Sequence, residues 1–342
     1  MAITIKDVAY ATGLSVATIS KYLNGVTLKE RNSVAVQEAI DRLGYRKNDF
    51  ARSLKTNRSM SVGVLIPDIG HPFHSSITRS LERALMDSGY STFICNYLAD
   101  EDSPRPKAAK ERIEFLLDKR VDGVAMFPFT GVEDLRNVKA IAKNLPIVLL
   151  DTSLEGIEAD AVMVDHEGAS HEAVSYLLER GHRRVGALFG PKDHYSAIQR
   201  YAGYRDAYRE RALELEEGLT CFGEYTVESG KRMMLELLDS VPPPSAVFAS
   251  NYELMVGAMM AIHERHMDIP RELSFIGFDD SLITSVFSPG ITAIAQPVRE
   301  IGEAAARLLV NRMTGKDASP PIVLRLKAKM AERESVGEGP FA

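Results

Sequence analysis

The sequence predicts a small all-α helix-turn-helix headpiece joined to an α/β core of two doubly wound parallel-sheet lobes. Three observations carry this expectation. Residues 3–45 hold three short apolar-periodic segments broken by turn residues. From Ser61 onward, continuous apolar runs alternate with helical patterns, the texture of parallel sheets. Charge divides at the same place: 10 Lys+Arg face 5 Asp+Glu through Met60, and 31 face 42 after it, so a basic head sits on an acidic body within a net −6. At 342 residues the chain exceeds one ordinary core, and its 45% hydrophobic and 26% charged content are those of a globular protein.

Residues 1–46 form the headpiece. Thr4 stands as an N-cap with Asp7 three residues on, a capping-box spacing, and Gly13 stops the first helix. Ser15 caps a second helix, Val16 to Leu23, after a turn of a few residues. Its Ile19 and Leu23 face inward, while Val16, Ala17, Ser20, Lys21 and Asn24 stay free. A third helix, about Ser33 to Leu43, offers Val36, Ala39, Ile40 and Leu43 to cover the pair, and Gly44 ends it. Such a unit presents its second helix to the DNA major groove. The charge split agrees, because only the head would meet phosphates.

Residues 47–60 are a hinge helix or linker. Asn48 can cap a short helix with Phe50, Ala51 and Leu54 on one side and Arg52, Lys55 and Arg58 around it. A helix this short needs a partner to persist. One reading is a solvated linker. The other is a hinge helix that orders on DNA in the minor groove, where a Leu wedge bends the duplex.

The core starts with strand SVGVLIPD, then helix Ser75 to Asp87, strand STFICN, helix Lys107 to Lys119, strand GVAMF, helix Val132 to Lys143 and strand IVLLD. A second series starts near AVMVD. It runs through helix Ala169 to Arg180, RVGALFG, helix Ile198 to Arg211, a short strand around Leu219 to Phe222, helix Val227 to Leu238, SAVFAS, helix Glu253 to Arg265 and LSFIGFDD. Segment Ile291 to Lys327, with helix Val298 to Thr314, is expected to cross back and complete the first lobe. The lobes are therefore 61–163 plus 291–327 and 164–290, with 328–342 a frayed tail. Ligands of such sheets bind beyond the carboxyl ends of the strands. Polar residues gather there: Asp68, Asp151, Asn251, Asp279 and Asp280 follow strands, Arg200 lies on the YSAIQRYAGY helix, and Gln296 is in TAIAQP. With aromatics Phe73 and Tyr225 nearby, the set suits a sugar or similar polyhydroxyl ring, whose hydroxyls each need partners once dehydrated.

Other classes find little support. The sequence has no Walker or Rossmann glycine loop, no HExxH and no GxSxG, so an enzyme is not expected. The start reads as a capped helix rather than a signal peptide, and no stretch approaches transmembrane length, which implies a cytoplasmic protein without membrane contact. Cys95 and Cys221 are far apart without ligand spacing, so they read as reduced core thiols; no metal or cofactor is expected. One headpiece reads a half-site, which makes a homodimer on a palindromic operator the natural state. No heptad pattern suggests a tetramerising coil.

The run TIKDVAYATGLSVATISKYLNG resembles the N-terminal signature of the lactose-repressor (LacI/GalR) family of bacterial transcription regulators. GHRRVGALFGP, QRYAGYRDAY, PSAVFASN, DIPRELSFIGFDD and ITAIAQPVREIGEAAARLL resemble further family blocks, so the likeness spans essentially the whole chain. It implies a periplasmic-binding-protein-like core and a repressor of carbohydrate use, released from double-stranded operator DNA by a small sugar-like effector. It also allows a regulator controlled by a phosphorylated partner protein. Val16, Ala17 and Lys21 are then the base-reading positions, and Thr4, Ser15, Ser20 and Asn24 serve capping or phosphate contact. ARSLKTNRS resembles the hinge motif, with Leu54 the wedge. Phe73, His74, His194, Ser196, Arg200, Tyr225, Asn251 and Asp279 fall at effector positions. Three residues depart from the family pattern: Lys47 stands where proline is usual, Tyr252 where aspartate is usual, and His74 where an apolar or aromatic residue is common.

Overall fold

A computed structural model describes residues 3–23, 25–45, 58–97, 105–128, 138–139, 141–154 and 156–341. The chain divides into two compact units, Met1–Ser59 and Met60–Ala342.

The first unit contains α1 (Ile5–Thr12), α2 (Val16–Leu23) and α3 (Glu30–Leu43). At the start of α1 the Asp7 carboxylate accepts from both the Thr4 N–H and the Thr4 hydroxyl, each at 2.7 Å. Those bonds hold the exposed Asp7 carboxyl below the usual range. Ser15 Oγ accepts from Thr18 N–H at 3.1 Å and caps α2. Gly13 and Gly44 close α1 and α3 in the left-handed region that glycine enters without strain. Val8, Ala9, Ile19, Val36 and Ala39 are the buried core. Helix α3 starts three residues before the expected Ser33, because the backbone carbonyl of Lys29 accepts from Asn32 and Ser33 N–H without any side-chain cap.

The second unit holds two six-stranded sheets. The first contains β1 (Ser61–Ile66), β2 (Ser91–Asn96), β3 (Gly123–Met126), β4 (Ile147–Leu150), β5 (Asp160–Val164) and β11 (Val323–Leu326), in the order β2-β1-β3-β4-β5-β11. The second contains β6 (Val185–Phe189), β7 (Thr220–Phe222), β8 (Ala246–Ala249), β9 (Ser274–Phe278), β10 (Thr292–Ala295) and β12 (Lys329–Ala331), in the order β7-β6-β8-β9-β10-β12. All pairings are parallel except β10 with β12. β1, β3, β4, β5, β6, β8 and β9 are buried along their whole length, which is why they read as unbroken apolar runs.

Helices cover both faces of each sheet. α4 (Pro72–Asp87) and α11 (Val298–Thr314) pack on one face of the first sheet, and α5 (Arg105–Asp118) on the other. α6 (His166–Glu179) and α7 (Tyr195–Glu210) cover one face of the second, and α8 (Val227–Leu238) with α9 (Tyr252–Glu264) the other. Close helix crossing depends on glycine: a Cβ at Gly203 would lie 2.1 Å from the Glu167 carbonyl oxygen. A short α10 (Leu282–Val286) follows β9 and was not foreseen.

Three expectations need correction. β5, read as opening the second series, is parallel to β4 in the first sheet. β10 belongs to the second sheet, so the return to the first lobe begins after Ala295 rather than at Ile291. The tail is not frayed. β12 pairs with β10, buried Ser335 donates to Phe275 O and accepts from Thr292 N–H, and Gly339 N–H donates to Arg180 O. Buried His182 meets Ser245 Oγ and Gly337 O in the same region. The chain thus passes between the sheets three times, after β5, β10 and β11, and Asp165 N–H donates to Leu326 O where two crossings run together. The expected helix Val132 to Lys143 lies largely outside the described residues. Cys95 is buried and Cys221 partly so, both free thiols, with burial raising Cys221 to about 11. Among the described residues no helix is long and apolar enough to cross a membrane.

Candidate functional site

On the headpiece, Val16, Ala17 and Lys21 are exposed along one face of α2 and Ser20 is half-buried, while Ile19 anchors the opposite face in the core. Thr4 and Ser15 are exposed, but their hydroxyls are engaged in the caps described above. The face is small, carries one cation and lacks acidic residues, which suits approach to a groove wall. Tyr10 on α1 is 94% exposed, an aromatic donor that sequence reasoning passed over. Asn24, Arg52, Leu54 and Lys55 lie outside the described residues.

In the second unit the carboxyl ends of both sheets open on one cleft of about 630 Å³. In each sheet the strand order reverses beside its first strand, β1 or β6, the place where doubly wound sheets leave a crevice. Asp68, Phe73, His74, Asp151, His194, Ser196, Arg200, Tyr225, Asn251, Asp279 and Gln296 all line it. The first four come from the first lobe, and His194, Ser196, Arg200, Tyr225, Asn251 and Asp279 from the second. Tyr252 does not line the cleft. Its ring lies 6.0 Å from that of His71, and its N–H donates to Asp279 at 3.2 Å.

Arg200 is the floor. It is 4% exposed, stacks 3.9 Å above the Phe278 ring, and donates to Ser250 O at 2.6 Å and to His166 Nδ1 at 3.3 Å. His166 Nε2 lies 2.9 Å from Asp151 Oδ1, so a chain of polar groups runs from the first lobe to the second. Burial pushes the Asp151 carboxyl up, but the adjoining His166, with Arg200 behind, holds it below 3.8. Arg200 Nε and Gln296 Oε1 are among the buried polar atoms that keep no partner. Gln296 Nε2 donates to Asp279 Oδ1, aiming the amide at the cleft.

The wall is aromatic. His194 meets Ser196 Oγ at 3.1 Å, Ser196 and Tyr225 share a hydroxyl contact at 3.0 Å, and the His194 and Tyr225 rings stand edge to face. Burial, helped by Arg200, lowers His194, and burial raises Tyr225. Across the cleft His74 packs on Phe127, and burial with the neighbouring His71 drives its pKa down to about 4.

Sequence reasoning missed the bonds that join the lobes. His71 caps α4 by accepting from Phe73 N–H through Nδ1, and its Nε2 lies 3.1 Å from Glu253 Oε1 of α9. Asn251 Nδ2 steadies Glu253 at 2.5 Å. Burial alone would lower His71, yet Glu253, then Asp279 and Asp68, raise it. Tyr195 of α7 accepts from Arg325 of β11 at 3.0 Å. The HPFH run after a strand was the one available signal. Among the described residues no group of three His, Cys, Asp or Glu could hold a metal ion.

Residues 174–336 match the periplasmic binding protein-like domain family. The chain is 31% identical over 312 residues to the ribose operon repressor of Escherichia coli (strain K12), covering 91% of this chain and 93% of that protein. It is 32% identical over 340 residues to the HTH-type transcriptional repressor PurR of Yersinia enterocolitica serotype O:8, covering 99% and 98%. A lac repressor dimer bound to operator and the anti-inducer ONPF shares the fold at a TM-score of 0.83 and 24% identity, over 98% of this chain and 99% of that one. The sequence likeness runs through headpiece and core alike, and the chain therefore belongs to the lactose-repressor (LacI/GalR) family of DNA-binding transcriptional repressors and is a regulator, not an enzyme.

Proposed function

We propose that the protein represses a carbohydrate-utilisation operon as a cytoplasmic homodimer on a palindromic operator, and leaves the operator when a sugar-like effector fills the interlobe cleft. The observation that carries the reading is the pairing of unpartnered Arg200 Nε and Gln296 Oε1 with aromatic Phe73 and Tyr225 around one cavity. A donor and an acceptor at fixed places over ring faces suit a dehydrated polyol. The similarity to a repressor of a ribose operon favours the same class of signal. Asp68, His74, Asp151, His194, Ser196, Asn251 and Asp279 complete the proposed effector contacts.

On DNA, Val16 and Ala17 carry no side-chain donors and read apolar features such as a thymine methyl, while Lys21 donates to guanine or phosphate. Thr4, Ser15, Ser20 and Asn24 fix the backbone, and Arg52, Leu54 and Lys55 act from the hinge in the minor groove. Effector binding changes the relation of the lobes and separates the hinges of the two subunits. Reciprocity then requires operator DNA to weaken effector binding by the same factor, ~5–150-fold. The test is operator binding by the full-length protein, with thermal unfolding in parallel, against a panel of sugars. A sugar that stabilises the protein and weakens operator binding supports the reading. If no sugar changes either quantity, the sugar-responsive reading is wrong.

A further inference from the structure

The cleft carries an unbalanced charge. Asp68, Asp193 and Glu224 stand exposed around its mouth, and among the described residues none has a cationic partner. Asp68 only accepts from the Gly70 N–H at 2.8 Å. Deeper in, Asp151, Glu253 and Asp279 also face the space, each engaged with a neighbour. Against six carboxylates the lining offers one permanent cation, Arg200. Its two terminal nitrogens are given to Ser250 and His166, and its face to Phe278. Each of those nitrogens keeps a second hydrogen and its Nε is buried without a partner, so Arg200 is the one permanent cation of the lining that a ligand can meet. His74 and His194 are held toward the neutral form by burial, so neither supplies positive charge at neutral pH. α4, α7 and α9 begin at the cleft; the cap positions of α4 and α9 are filled by His71 and Asn251, and α7 starts without a side-chain cap beside the exposed Asp193.

We infer that the cleft is a charge filter, accepting a neutral or amine-bearing polyhydroxyl ligand and rejecting phosphorylated or carboxylated ones. An anion would have to pass the three mouth carboxylates and then meet a lining in which six carboxylates outnumber Arg200 and a His71 already paired with Glu253, and like charges brought together in a desolvated site oppose binding strongly. The inference rests on the sugar-cleft reading above and narrows it. The signal is the free compound, as it stands before a phosphoryl-transfer step, so the repressor reports arrival of a nutrient rather than its metabolic product.

The test uses full-length protein at low ionic strength, where screening is weak. Matched sets are titrated by calorimetry and thermal unfolding: neutral pentoses, hexoses and disaccharides, their amino counterparts, their phosphates, the uronates, and inorganic phosphate as the smallest anion. The expected result is that each phosphate or uronate binds at least tenfold more weakly than its neutral parent, while the amine binds at least as tightly. The double variant Asp193→Asn/Glu224→Gln narrows the gap between parent and phosphate at least threefold, and added salt narrows it in the wild type. A phosphate that binds as tightly as its parent overturns the filter and leaves the effector cleft standing. A gap unchanged in the double variant overturns the role of the mouth. No response to any member overturns the cleft reading, and the filter falls with it.

Discussion

Replacing Arg200 with Met keeps most of the side-chain volume over the Phe278 ring and removes every polar contact of the guanidinium. Its Nε is buried without a partner in the fold, and the guanidinium N–H groups are the proposed donors to a ligand hydroxyl. A hydrogen bond to a charged group contributes ~1.5–3 kcal/mol, so effector affinity should fall about 10- to 150-fold. The readout is thermal unfolding with a sugar that stabilises the wild type. At 100 times the wild-type Kd that sugar adds ~2.7 kcal/mol, and the same concentration should add only ~0.3–1.4 kcal/mol to the variant. Operator binding without sugar should persist, because Arg200 lies in the core unit. The variant should also respond differently to acid. Asp151 has a depressed pKa in the fold, so its contribution is present above its ordinary 3.8 and is lost as pH falls through the lower folded value. Without Arg200 that folded value rises toward 3.8, so the contribution is smaller and its loss is complete at a higher pH. A sugar-induced shift equal to the wild type would refute the placement of Arg200 at the ligand.

Gly190→Ala should close the cleft without altering a polar group: a Cβ there would lie 2.1 Å from the Tyr225 ring, so the ring must turn into the space a ligand needs, and sugar binding measured by calorimetry should disappear while the fold persists. Lys21→Ala should weaken operator binding and reduce the slope of log affinity against log salt by about 1 if the contact is a phosphate; an unchanged slope with altered base preference would assign Lys21 to a base. His71 has a raised pKa, so its bond to Glu253 contributes stability that is complete below 6.5 and is lost as pH rises through the folded value. Glu253→Gln should flatten stability against pH in that window, as followed by urea unfolding. Asp160→Ala removes the carboxylate to which Arg312 donates twice at 2.8 Å, leaves Arg312 with the Ser319 and Pro320 carbonyls and Asp317, and should cost ~1–3 kcal/mol in the same assay.

Much of this was legible in the sequence because the signals were local. Val8, Ile19 and Val36 recur at helical spacing, and each strand of the first sheet's interior is an unbroken apolar run. The polar residues that end those runs were gathered by one topological rule, since parallel strands deliver all their carboxyl ends to one edge. The misses were non-local. β12 is three residues long with no apolar run, and only its pairing with β10 makes it a strand. Pairs such as His71 with Glu253 and Tyr195 with Arg325 join residues far apart in the chain, and nothing in either neighbourhood names the other. Helices began two to three residues early at Pro72, Arg105, His166 and Tyr195; at Pro72 the cap is His71, accepting through an imidazole nitrogen outside the usual Ser, Thr, Asp and Asn signals, whereas Asp165 before His166 is an ordinary Asp cap that sequence reasoning passed over.

The three passages between the sheets act mechanically as a hinge of parallel ribbons. Ribbons tied side by side, as Asp165 and Leu326 are, twist and flex together easily but resist shear, so the soft motion of the core is a rotation about one line. Opening along that line must break the pairs that join the lobes, His71–Glu253, Tyr195–Arg325 and Asp151–His166. The same threading means that neither lobe is a continuous stretch of chain, so no single cut separates them, and each completes its sheet only when the last strands have been made.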